Sequence, residues 1–264
     1  MRFSSVLLAF LTVLSLISTN ARAQEPKTAT REILVAAAAD LKFALDEMIG
    51  EFQKEHPYAK VSVTYGSSGN LFSQIDNGAP FDLFLSADID FPKKLIERKK
   101  AAADSLFPYA VGQLVVWVSK DSPVDVQKLE MHALLDPSIH KIAIANPEHA
   151  PYGRAAVAAM KNLGVYDQVA DKLVLGENIA QAAQFVESQA ADIGLIALSL
   201  AVSPKMQAAG RYWEVPLDTC PRLDQAGVIL SATKQPELAR QFREMIIGPQ
   251  GRETLRRHGF IMPR

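Results

Sequence analysis

Apolar and polar residues follow two periods along this chain, and the order of those periods predicts its architecture. Residues 32–37 (EILVAA) form a compact apolar run suited to a buried strand. Directly after it, Leu41, Ala44, Leu45, Met48, Ile49 and Phe52 recur at spacings of three and four, a helical stripe that stops before Pro57. Residues 60–65 alternate as a second strand, 66–69 make a tight turn, 70–77 restart a helix, and 81–86 (FDLFLS) read as a third strand. Strand, helix, strand, helix, strand with short connections is the pattern of a parallel sheet covered by helices.

The alternation then recurs. Residues 113–119 (QLVVWVS) predict a strand, 126–135 a helix, 141–145 a strand, and 153–163 and 179–189 helices. Further strands are expected at 193–197, 212–215 and 226–231, with terminal helices at 236–247 and 250–258. Two such runs point to two α/β lobes with a ligand cleft between them. The alternative is a single doubly wound domain with its crevice at the carboxyl ends of the strands. Both place the useful residues on strand-to-helix turns. The boundaries this reading gives are 1–23 for a leader, 24–112 for the first lobe, 113–224 for the second, and 225–264 for a return to the first.

The leader reads as a signal peptide. Met1 and Arg2 open a basic region, an apolar run follows from Val6 to Ile17, and Ala21-Arg22-Ala23 puts small residues where a signal peptidase reads, so cleavage is expected after Ala23. The run is about twelve residues, against about twenty for a membrane span, so export without membrane insertion is the expectation. About 240 residues remain, enough for two lobes with proper cores. Cys220 is the only cysteine, so no disulfide forms within the chain, and a small buried filler is its expected role. The formal net charge of -1 leaves no basic field for nucleic acid or acidic lipid. Any bound anion must therefore be held by local dipoles and hydroxyls.

Four turns offer such groups. Ala38-Ala39-Asp40 lies between the first strand and the first helix, where free NH groups make an oxyanion seat, although Asp40 could equally be an ordinary N-cap. Tyr65-Gly66-Ser67-Ser68-Gly69-Asn70 adds two hydroxyls between glycines, one of which could be a cap. The segment from Asn146 to Gly153 (NPEHAPYG) leads into a helix near Tyr152, and Glu177-Asn178-Ile179 leads into another. Glu148 and His149 lack partners at metal-ligand spacing, so no metal site is expected. The chain carries no nucleophile elbow, P-loop, zinc-protease motif or dinucleotide fingerprint, so it is not expected to be an enzyme. An exported hydrolase using Asp40 or Asp88 is the remaining enzymatic alternative; Asp88 is expected instead to cap a strand end or pack the lobes. Capture of ferric ion would want neighbouring tyrosines, and Tyr152 and Tyr212 are isolated.

Taken in order, AAAADL (36–41), YGSSGNL (65–71), GAPFDLFLSAD (78–88), ANPEHAPYG (145–153), GENIAQA (176–182), DIGLIALS (192–199) and GPQG followed by HGF (248–260) resemble the periplasmic molybdate-binding proteins of ABC importers. The resemblance covers nearly the whole mature chain. It implies a two-lobed type II periplasmic binding protein; a periplasmic monomer without a cofactor is expected. Its ligand would be molybdate or tungstate, delivered to an inner-membrane permease, with phosphate or sulfate as the alternative oxyanion. Carried over by position, it implies ligand contacts at Ala39, Asp40, Ser68 (hydroxyl and NH), Tyr152 (NH) and Ile179 (NH).

Two positions depart from the family pattern. Relatives carry serine, or threonine and asparagine, where this chain has Ala39-Asp40, and some have a tyrosine at Ala197. Asp40 is expected to cap its helix with its NH facing the anion, or alternatively to accept a proton from a ligand such as hydrogen phosphate. Tyr152 is the residue that could compensate for Ala197.

Overall fold

The computed structural model describes residues 30–263; the expected signal peptide and its cleavage point lie outside them. The first half of the chain runs β1 (Arg31–Ala38), α1 (Lys42–Glu55), β2 (Ala59–Gly66), α2 (Ser68–Asp76), β3 (Leu83–Ser86), α3 (Asp90–Glu97) and β4 (Phe107–Gly112). The chain then builds β5 (Leu114–Ser119), α4 (Val126–Leu129), β6 (Ile142–Ala145), α5 (Pro151–Asn162), α6 (Tyr166–Val169), β7 (Leu173–Gly176), α7 (Ile179–Glu187) and β8 (Ile193–Ala197). After α8 (Leu198–Ala201), α9 (Pro204–Ala209) and β9 (Gly210–Glu214), it returns through β10 (Leu223–Ile229), α10 (Pro236–Ile247) and α11 (Pro249–Arg257).

The strands form two five-stranded sheets, ordered β2-β1-β3-β10-β4 and β7-β6-β8-β5-β9. In the first sheet β10 runs against both its neighbours, and in the second β5 does the same. The remaining pairings are parallel. Each sheet is thus mainly parallel with one reversed strand. Parallel sheets are buried on both faces, and β1 shows why its residues from Ile33 onward are apolar. Ile33, Val35 and Ala37 pack on one face with Leu45, Phe52 and Phe242, while Ala36 packs on the other with Leu71, Phe84 and Leu95. The second sheet has its own core, in which Trp117, Ile144, Met160 and Ile196 are fully buried.

The chain passes between the sheets twice. Gln113 alone separates β4 from β5, and residues 215–222 separate β9 from β10. Gln113 is buried, and its Nε2 donates to the carbonyls of Leu114 (3.0 Å) and Val215 (2.6 Å), tying the two crossings together.

Several elements depart from the sequence expectation. β4 was not expected, because Pro108 argues against a strand; the sheet accommodates it with a register shift between Gln225 and Ala226, opposite the proline. In α3, Pro92 sits in the first turn, where its missing NH costs nothing. β7 is a four-residue edge strand whose Leu175 is exposed, too short for alternation to register. The helix expected over 126–135 divides into α4 and a 3-10 segment, Glu130–Leu135. α2 and α5 each begin two residues earlier than expected; in α5 this places Pro151 at the first helical position. Cys220 is half-buried rather than a buried filler.

Candidate anion-binding site

Three strand-to-helix turns and the 3-10 turn that opens α1 meet between the sheets, at the carboxyl ends of β1, β2, β6 and β7. They enclose a small cavity lined by residues that include Ala39, Asp40, Ser68, Tyr152 and Ile179, so the five residues expected to contact the ligand lie in one place. Its free space is about 10 Å³, close to the room a single water-sized molecule needs. A larger hollow of about 770 Å³ opens near Glu32, Phe81, Lys99 and Lys234. It lies at the starting end of β1, away from the N-termini of α2, α5 and α7, and is lined by Lys99, Lys100, Lys234 and the start of α10.

The donors arise from local geometry. α2, α5 and α7 each present first-turn NH groups that no preceding turn can satisfy. Those of Ser68, Tyr152 and Ile179 have no acceptor among the described residues. In α7 the side chain of Asn178 caps the NH groups of Ala180 (3.0 Å) and Gln181 (3.1 Å), leaving that of Ile179 uncapped. In α2, Ser67 occupies the N-cap position but makes no capping bond, and its buried hydroxyl is without a partner. Ser68 Oγ accepts the NH of Ala87 (3.0 Å), which occupies a lone pair and leaves its O–H free to donate elsewhere.

Asp40 departs from its expected role. It makes no capping bond; the residue before the 3-10 turn is Ala38. The carboxyl is buried, and its Oδ2 accepts from Tyr152 Oη (3.0 Å) and Gln225 Nε2 (2.5 Å). Oδ1 has no partner at full hydrogen-bond geometry. Burial raises its pKa from the ordinary 3.8 to about 6, against the opposing effect of the Gln225 and Tyr152 hydrogen bonds and of the nearby NH groups of Asp40 and Leu41. The Tyr152 hydroxyl is thus committed to Asp40 and does not stand in for a tyrosine at position 197; its own pKa is pushed well up by burial and by the Asp40 charge.

Sequence reasoning overlooked Gln225, because it lies on β10 and 185 positions from Asp40. A fully buried glutamine in the apolar strand LDQAGVI was the available signal. Gly112 makes room for the same network, since a Cβ there would stand 2.3 Å from the Tyr152 hydroxyl.

The two sheets are closed over this cavity. The NH of Gly69 donates to the His149 carbonyl (2.9 Å), Arg154 pairs with Asp88 (2.6 Å), and Ser199 Oγ donates to the Asp40 carbonyl (2.8 Å). Gly69 permits this approach, because a Cβ would lie 2.6 Å from the His149 oxygen. Asp88 also accepts the NH of Asp90 (2.9 Å) at the start of α3, although Ile89 holds the N-cap position, so its main role is to bridge the lobes. His149 uses its ring nitrogen on the Glu177 carbonyl (3.0 Å) and Glu148 bonds Asn146 through its NH (3.0 Å).

Two lobes joined by two crossings, with helix N-termini from both converging on a closed cleft, define a solute-binding architecture. The chain belongs to the bacterial extracellular solute-binding protein family, whose model matches residues 33–261. Within it, the chain is similar to the molybdate-binding protein ModA of Azotobacter vinelandii, 38% identical over 230 residues, covering 87% of this chain and 89% of that protein. It is likewise similar to ModA of Rhodobacter capsulatus, 35% identical over 233 residues, covering 88% and 89%. The solved periplasmic molybdate-binding protein of Azotobacter vinelandii superposes with a TM-score of 0.82 at 32% identity, covering 88% of this chain and all of that one. The two-lobed periplasmic-binding-protein fold expected from the sequence is the fold of this chain.

Proposed function

We propose that this protein captures molybdate, and tungstate with it, in the periplasm and hands it to the inner-membrane permease of an ABC importer as a monomer, without a cofactor and without catalysis. The observation that carries the reading is the convergence of unsatisfied donors from both lobes on one small cavity. A dianion leaving water loses several kcal/mol of hydration per charge, so it must be met by several charge-assisted bonds of about 1.5–3 kcal/mol each. The Ser68 hydroxyl and NH, with the NH groups of Tyr152 and Ile179, would supply four of them. Ala39 and Asp40 complete the wall, and Ser67, with its unpartnered hydroxyl, is a further candidate donor. The similarity to molybdate-binding relatives supports the choice of anion.

The unpartnered Asp40 Oδ1 favours one second reading, a hydrogen-bearing oxyanion such as hydrogen phosphate donating to the carboxylate. Isothermal titration of the purified mature protein with molybdate, tungstate, sulfate and phosphate separates the two. The proposal predicts one tight site for molybdate and for tungstate, with sulfate and phosphate far weaker. Tight phosphate binding with no molybdate heat would overturn it.

A further inference from the structure

Asp40 is an anomaly in a site for anions. An ionised carboxylate on the cavity wall repels the ligand that the surrounding NH and OH groups attract, yet the structure invests two donors in holding it there. Those donors settle which oxygen is which. Tyr152 Oη and Gln225 Nε2 both donate to Oδ2, so a proton on the carboxyl group belongs on Oδ1. Oδ1 is the buried oxygen that has no side-chain partner, with only the NH groups of Asp40 and Leu41 beside the carboxyl, on a residue that lines the cavity. A protonated carboxyl there is a donor, and it removes the repulsion at the same time.

We propose that Asp40 enters the closed complex as a carboxylic acid whose Oδ1–H donates to an oxygen of the bound anion, so that capture of each oxyanion takes up one proton from solvent and release returns it. This rests on the oxyanion reading above and adds to it a specificity-determining residue and a pH dependence. The buried carboxyl already titrates near 6 without an anion, because of desolvation, and a neighbouring dianion can only raise it further.

The groups that face Asp40 do not supply an alternative proton. Tyr152 on α5 and Tyr109 on β4 are both held well above their ordinary range, first by burial and then by the Asp40 charge, so they stay protonated. Gln225 on β10 and Ser199 on α8 do not titrate. Among the described residues no lysine, arginine or histidine side chain bonds Asp40, and the Arg154 guanidinium is paired with Asp88.

The test is the pH dependence of molybdate affinity between pH 7 and 9, at micromolar anion, in the wild-type protein and in Asp40→Asn. The amide keeps an acceptor for Tyr152 and Gln225 and puts an NH donor in place of the acid at every pH. Wild-type Kd is expected to rise about tenfold per pH unit, while D40N stays flat. Calorimetry of the wild type in buffers of different ionisation enthalpy should count about one proton bound per anion, a readout that needs no variant to fold. A flat wild-type profile with no proton uptake would overturn the proposal, as would a D40N protein that keeps the slope or folds but binds no molybdate. Absence of molybdate binding by the wild type at every pH sinks the molybdate reading itself, and this inference with it. Binding without proton uptake sinks only the inference.

Discussion

Asp40 and Ser68 stand on opposite sides of one question, how a cavity without a single cation could hold an anion. Ser68 answers with a hydroxyl already oriented by the Ala87 NH. Replacing it with alanine removes a charge-assisted bond of about 1.5–3 kcal/mol, so S68A should weaken molybdate about ten- to hundredfold in a calorimetric titration. An unchanged Kd would remove the Ser68 hydroxyl from the site. Asp40 lowers the stability of the closed protein instead. Its pKa is raised on folding, so the ionised form costs free energy that is absent at low pH, grows as pH rises above the ordinary value of 3.8, and is complete above about 6. That rise corresponds to about 3 kcal/mol. D40N without ligand should therefore be more stable than the wild type at pH 8, by denaturant titration, with the gap closing as pH falls through 6 toward 4. A constant gap would mean that the carboxyl is not desolvated.

The elements explain what could be read in advance. The β1, α1, β2, α2, β3 run announces itself because apolar residues on both faces of β1 and a full stripe on α1 are the direct result of a sheet covered twice. The turns were legible for the same reason: a strand that ends and a helix that begins must expose NH groups, whichever residues fill the turn. The partner network was not, since Gln225 reaches Asp40 only through the return strand β10, and no local pattern records which strand lies beside β3. The choice between a capping Asp40 and a buried one was equally hidden, because both begin with an aspartate at a helix start. Gly69 supplies a test at this scale. A Gly69→Val side chain would meet the His149 carbonyl across the cleft, so G69V should retain the fold by circular dichroism while losing most of its molybdate affinity. Full affinity would show that this approach is not needed for closure.

At the scale of the molecule, two lobes are joined by two crossings that Gln113 ties together, and the bonds from Gly69 to His149, Arg154 to Asp88 and Ser199 to Asp40 link the lobes across the cleft. Arg154 and Asp88 are partly exposed, so their contribution should be small and fade with salt. An anion that bridges the lobes adds to these links. Saturating molybdate at about a thousand times its Kd should stabilise the protein by about 4 kcal/mol, raising Tm by on the order of 10 °C. Sulfate at the same concentration should move it little, and equal shifts for both would argue against selection by the cavity.

The most direct measurement is a crystal structure grown with molybdate and mapped with anomalous scattering at the molybdenum edge. The account predicts a single peak between the lobes, its oxygens within hydrogen-bonding reach of Ser68, Tyr152 and Ile179, with Asp40 Oδ1 on one of them. A peak elsewhere on the protein, or none in that cavity, would contradict it.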